Sequence, residues 1–294
     1  MSLTSPTLDP SIDPTPGAAL VRRRTKRSVT LTIGLVLVGA IVLMALISLF
    51  WLPYDPSDTS GSRLEGPSAA HWLGTDKLGR DLMTQLMIGA RIALIVGAAS
   101  VAIAAVLGIL LGLLAAFATD WLDDTLSAFL DILIAFPTLL LAMLIVAAQG
   151  ASLWSAVLAI GLAMSAIVAR LTRVLSKRVL AEQYITAART SGTGWLAIIR
   201  THVLPNIWPT LSVNLALQFG VAVLAEASLS YLGLGAPPPN SSWGRMLQEA
   251  QGTVATAPLG ALAPGIALVA LVIGVNLVAD GLRDVADPIR RRSR

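Results

Sequence analysis

The chain has 294 residues, 55% of them hydrophobic and 13% charged, the latter about half the share usual in a soluble domain. So much apolar surface exceeds what one water-soluble core can bury, and a bilayer is its natural solvent. The absence of cysteine excludes disulfide frameworks, thiolate zinc sites and iron–sulfur ligation, and two histidines, His71 and His202, are too few for an imidazole-rich metal site.

In chain order, residues 1–28 are rich in Pro, Ser and Thr and are expected to form a disordered cytoplasmic tail, ending in the cluster Arg22, Arg23, Arg24, Lys26, Arg27. The apolar run from Val29 to Leu52 is longer than the roughly 7–15 residues of a signal-peptide core, so it reads as a retained first span. An outer segment, 53–89, follows. From it, Asp76 to Arg91 is expected to be an amphipathic helix leading into the next span, capped by Thr75 or Asp76, with Leu78, Leu82 and Leu86 as its apolar stripe. Residues 90–284 then hold five further spans: Ala90–Ala118, Leu126–Ala148 with a kink at Pro137, Leu153–Leu171, Ile207–Leu232, and Leu259–Ala279 with Pro264 near its start. Gly108 and Gly112 have the small-residue spacing that lets helices approach closely. A cytoplasmic loop covers 172–206, an outer loop with Pro237-Pro238-Pro239 covers 233–258, and 285–294 is a basic tail. The expected fold is all-α and membrane-integral with six transmembrane helices.

Orientation follows from lysine and arginine placement. With the N-terminus inside, sixteen basic residues face the cytoplasm: the five of the N-terminal cluster, Arg170, Arg173, Lys177, Arg178, Arg189, Arg200, and Arg283, Arg290, Arg291, Arg292, Arg294. Arg63, Lys77, Arg80, Arg91 and Arg245 remain outside. Both termini are therefore expected in the cytoplasm. The same map explains the net charge of +4 as basic loops facing the cytoplasm rather than a nucleic-acid surface.

Several chemistries are excluded. A phosphate-binding loop needs Gly-Lys-Ser or Gly-Lys-Thr, and none of the three lysines, Lys26, Lys77 and Lys177, follows a glycine. If ATP drives this chain, another polypeptide binds it. No His-Glu-x-x-His helix is present, and neither histidine falls in a span. Two acids lie within spans, Asp131 and Glu226. Each admits three readings: pairing with a cation such as Arg91 or Arg245, lining a solute path, or proton coupling.

The loop between spans four and five reads as helix, break, helix, stop. Glu182-Gln183-Tyr184-Ile185-Thr186-Ala187-Ala188-Arg189 favours helix, and Gly192 suits the left-handed position that ends it. Trp195 to Val203 gives a second amphipathic piece with Trp195, Ile198 and Ile199 on one side, and Pro205 marks the start of span five. Such a compact pair is either a knob that fits a partner's groove or an interfacial connector lying on headgroups.

The spacing resembles the cytoplasmic motif of ABC-importer permeases: Ala187, Ala188, Gly192, Leu204 and Pro205 match it, while Thr186 stands where the motif has Glu. Glu182, Tyr184, Arg189 and His202 to Asn206 are similar to the dipeptide/oligopeptide/nickel branch, with Thr201 replacing its usual arginine. Trp72 to Asp81, Glu226 to Gly235, Ser242-Trp243-Gly244, and Asp280 to Asp284 with Asp287-Pro288 look like further signatures of that branch, in order. The resemblance implies the type I importer permease fold and the second, C-type, subunit of a heterodimeric pair. It implies four kinds of partner: a homologous second permease subunit, two ATPase subunits that carry ATP and magnesium, an extracytoplasmic solute-binding protein, and membrane lipid. It implies no cofactor on this chain, and an importer of di- or oligopeptides, with nickel or another solute as the alternative in the same branch. A secondary transporter is the competing class. Glu182, four residues before Thr186, is the expected substitute for the missing glutamate.

Overall fold

The computed structural model describes residues 29–237 and 240–286. The N-terminal tail with its basic cluster, Pro238-Pro239, the Asp287-Pro288 pair and most of the basic C-terminal tail lie outside the described residues.

Among the described residues ten helices follow one another: α1 Val29–Phe50, α2 Leu82–Phe117, α3 Asp120–Ala135, α4 Thr138–Gln149, α5 Leu153–Leu180, α6 Gln183–Thr190, α7 Trp195–Ile198, α8 Leu204–Tyr231, α9 Trp243–Ala250 and α10 Leu259–Ala286. A π-helical turn, Ile199–Val203, joins α7 to α8. Among the described residues there is no strand; one isolated bridge pairs Thr75 with Asp81.

Among the described residues five stretches, α1, α2, α5, α7 through α8, and α10, are long and apolar enough to cross a membrane, and the bent pair α3–α4 passes the same test when its two halves are taken together. Lipid, not water, is the solvent these helices require: Leu35, Val36, Phe50, Leu110, Leu114, Leu144 and Ile266 stand exposed on their outer faces.

Small residues decide how the helices meet. A Cβ added to Gly108 would stand 2.9 Å from the Ser165 carbonyl oxygen, and one on Gly112 would stand 2.5 Å from that of Ala169. On α5, Gly161 faces Ser100 and Ile103 of α2 in the same way. This glycine seam lets the α2 and α5 backbones nearly touch, as the spacing of Gly108 and Gly112 predicts. Gly34 does the same for α1 against Gly274 and Val278 of α10. Ile92, Val96, Ile160, Met164, Val168, Leu211 and Leu229 fill the core between α2, α5 and α8.

Four expectations need correction. The outer segment has no separate helix over 76–91. Residues 75–81 form a tight loop with Gly79 at φ +83, and the Asp81 carboxylate caps the amide of Thr84, so the helix starts at Leu82 and runs straight into span two. The boundary at residue 89 therefore falls inside α2. At Pro137 the expected kink is present but is a full bend of 89° that divides the span. Proline lacks an amide hydrogen and forces Phe136 into extended geometry, ψ 131, so two helices result. Span four continues to Leu180, well into the expected loop. The second loop helix is not separate, because the π turn carries it into α8 without a stop.

Candidate functional site

The 182–205 segment closes one end of the bundle. Its first helix, α6, ends in a six-residue capping motif: Thr193 N–H donates to the Ala188 carbonyl (3.1 Å) and Gly192 N–H to that of Arg189 (3.0 Å). Gly192 holds φ +83, a conformation that costs an L-residue roughly 1–2 kcal/mol. The interval of three residues between Ala188 and Gly192 is thus the interval between a helix's last satisfied carbonyls and the residue that reverses the chain. The Ala187 carbonyl also accepts the hydroxyls of Thr190 and Ser191, each at 2.9 Å.

Beneath this surface Ile185, Ile198, Val203 and Ile207 form a small core of their own. It is seated on Leu113 and Phe117 of α2 and on Leu175, Val179 and Leu180 of α5. The knob is therefore fastened to three membrane-crossing helices at once. Trp195 meets Phe117 edge-on at 5.2 Å between ring centroids, and the Arg189 guanidinium lies 4.2 Å over the Trp195 ring. The expected apolar side of α7 divides: Ile198 is fully buried, whereas Trp195 stays half exposed between Phe117 and Arg189.

The motif residues of the second half converge on the first. Pro205 sits in the first turn of α8, where its missing amide interrupts the hydrogen-bond ladder, and immediately before it Leu204 N–H reaches back five residues to Ile199. Asn206 Nδ2 donates to the His202 carbonyl (2.7 Å) and lies 3.4 Å from the Tyr184 hydroxyl, while the Tyr184 and His202 rings lie 5.8 Å apart. Glu182 is the N-cap residue of α6, exposed, with no side-chain cap hydrogen bond. Thr186, Ala187 and Arg189 are exposed beside it, and Leu196 is 80% exposed.

A cluster that sequence reading passed over braces the same end. Asp123 of α3 accepts from Arg173 Nε (2.5 Å) and Nη2 (2.7 Å) and from Lys177, all on α5. The signal was present: an acidic turn, Asp120 to Asp124, facing basic residues one turn apart.

The two intramembrane acids lie apart, and neither has the partner expected. Asp131 pairs with Arg170 of α5 at 3.3 Å, and both side chains are 59% exposed. Glu226 is 2% exposed and accepts from the Ser230 hydroxyl at 2.6 Å. Arg245 pairs instead with Glu249 at 2.9 Å.

The opposite end of the bundle is capped by α9. Ser242 caps it by accepting from Arg245 N–H, and the fully buried Trp243 donates its indole N–H to the Leu86 carbonyl (3.0 Å) across α2. Gly89 and Gly244 leave room for this: a Cβ on Gly244 would stand 2.0 Å from the Ala227 carbonyl oxygen. The loop before α2 locks on through Arg80, held by Asp76 (2.6 Å) and by Glu249 of α9 (2.5 Å). His71 Nδ1 lies 3.1 Å from Asp81, under the Tyr54 ring. The signature fragments 72–81, 226–235 and 242–244 thus meet in one place.

Residues 108–292 match the family described as binding-protein-dependent transport system inner membrane component. A dipeptide transport system permease of Alkalihalophilus pseudofirmus is 39% identical over 269 residues, covering 90% of this chain and 88% of that protein. A di/tripeptide transport system permease of Pseudomonas aeruginosa is 41% identical over 87% and 86% of the two chains, and a glutathione transport system permease of Pectobacterium atrosepticum is 38% identical over 93% and 91%. Among solved structures, an inward-facing MetNI methionine ABC transporter aligns with a TM-score of 0.57 at 21% identity, over 73% of this chain and all of its own. An amino acid ABC transporter solved with histidines aligns at 0.54 and 19%, over 71% and 94%. These two share the fold. A glycine-seamed membrane bundle with a motif-built knob at one end, matched along nine-tenths of its length, belongs to the multi-pass inner-membrane permease components of binding-protein-dependent ABC importers.

Proposed function

We propose that this chain is the permease of a small-peptide importer, forming half of the translocation pathway beside a homologous second permease. ATP and magnesium are held by two ATPase subunits, and an extracytoplasmic binding protein delivers the solute. The observation that carries the solute class is similarity of 38–41% over about nine-tenths of the chain to permeases of dipeptide, di/tripeptide and glutathione systems.

In this reading the knob is the coupling element. Glu182, Tyr184, Thr186, Ala187, Ala188, Arg189, Gly192, His202, Leu204 and Pro205 present or support the surface that an ATPase cleft receives. Closure of the ATPases displaces the knob. Its core, wedged on Phe117, Leu175 and Val179, passes that displacement into α2, α5 and α8 as rigid bodies. Coupling requires contacts that differ between the two states, and exposed Glu182 and Arg189, charges of opposite sign on one short helix, supply polar groups for them. Asp131 and Glu226 are kept as candidates for the solute path.

The test is reconstitution with both ATPases, the second permease and the binding protein in proteoliposomes. ATP-dependent accumulation of a labelled dipeptide is expected, lost when either ATPase is omitted. Uptake driven by a proton gradient without ATPases, or accumulation of nickel and no peptide, overturns the proposal.

A further inference from the structure

At the end of the bundle opposite the knob, a cavity of about 320 Å³ opens between Ala151 before α5, Ser230 at the end of α8, the turn through Gly233 and Gly235, and Arg245 and Gln248 of α9. Its size sits at the low end for small-molecule sites, roughly 300–1,000 Å³. Two glycines line it. Gly235 packs so closely on Ser230 that a Cβ would stand 1.8 Å from that hydroxyl, and Gly233 turns the chain at φ +81.

Arg245 is the one charged residue among the lining residues described. Its Nε donates to Glu249, but among the described residues its two terminal nitrogens have no partner. Glu249 is itself shared, since its other oxygen is held by Arg80. Arg245 therefore keeps a terminal edge of unspent donors. Gln248 lies three residues on, on the same face of α9. The Ser230 proton is committed inward to Glu226, so the donors of this cavity come from α9.

We infer that this cavity receives the terminal carboxylate of a small peptide solute, gripped by the free edge of Arg245, with Gln248 at the rim. The inference rests on the small-peptide reading above. A planar guanidinium with two parallel donors matches a planar carboxylate in a two-bond fork, which a lysine cannot reproduce. The cavity is too small for a long chain and admits one end of a peptide. Ser242, whose side chain starts α9, fixes Arg245 in the first helical turn.

The chain lacks cysteine, so Gln248→Cys places a single thiol at the exposed rim. In the fully assembled importer, this thiol is labelled from outside with a methanethiosulfonate reagent and followed by mass on this chain. Dialanine should slow labelling in a concentration-dependent way. Dialanine amide should protect about tenfold to hundredfold more weakly, the range of a charge-assisted hydrogen-bond pair. Adding Arg245→Gln should erase the difference between acid and amide. Adding Glu249→Gln instead frees Arg245 from its partner and should preserve it, which separates carboxylate binding from mere support of the cap. Equal protection by acid and amide, or none by either in a complex that imports dialanine, refutes the site. If the complex imports no peptide while the acid still protects selectively, the site stands and the peptide-transport reading fails.

Discussion

The two ends of the bundle are built on opposite terms. At the outer end the loops are tied down by bonds within the chain: Asp81 caps α2, Trp243 bonds Leu86, and Arg80 is held between two carboxylates. At the cytoplasmic end a four-residue core carries a surface whose Glu182, Arg189, Trp195 and Leu196 remain exposed. The first end is made to hold itself. The second leaves a surface open, and on the coupling reading proposed above that surface is where an ATPase supplies the contacts.

Substitutions should break this contrast unequally. The largest effect belongs to Trp243→Ala. It empties a fully buried indole site and removes the indole's hydrogen bond to the Leu86 carbonyl, with a loss of about 3–5 kcal/mol. Thermal unfolding in detergent should show a markedly lower midpoint, and a midpoint near wild type would mean that α9 does not lock the outer end. Next comes Gly192→Val. Open space surrounds its Cβ, so the chain should lose only the left-handed strain, about 1–2 kcal/mol, yet ATP-dependent uptake should collapse. Normal uptake in proteoliposomes would contradict docking through this turn. The smallest stability change is expected of Glu182→Lys, within about 0.5 kcal/mol for an exposed group. There the informative quantity is ATP hydrolysed per solute moved, and an unchanged ratio would remove Glu182 from the coupling surface.

Much of this was legible in the sequence because periodicity and composition report solvent. Spans one and six were found to within a few residues at their starts, since a run of apolar side chains leaves little else to do in a bilayer. Gly192 was legible for a different reason: only one backbone conformation explains a glycine at the end of that helix. What could not be read was anything set by neighbours distant in the chain. Asp81 rather than Thr75 or Asp76 caps α2 because a bridge and a positive-φ glycine stop the helix from starting earlier. Arg245 serves Glu249, its neighbour one turn along α9, rather than Glu226, which is buried and accepts from the Ser230 hydroxyl. The 89° turn at Pro137 was underestimated, since a proline announces a break in the ladder but not its angle.

The π turn at Ile199–Val203 has a consequence for angular phase. An α-helix advances about 100° per residue, so one residue taken from this wider turn, restoring ordinary spacing, would swing everything upstream by roughly that angle about the axis of α8. Trp195 would leave Phe117, and Arg189 would turn with it. The bulge sets the azimuth at which the cytoplasmic surface is presented, much as the dial of a lock is indexed by one tooth.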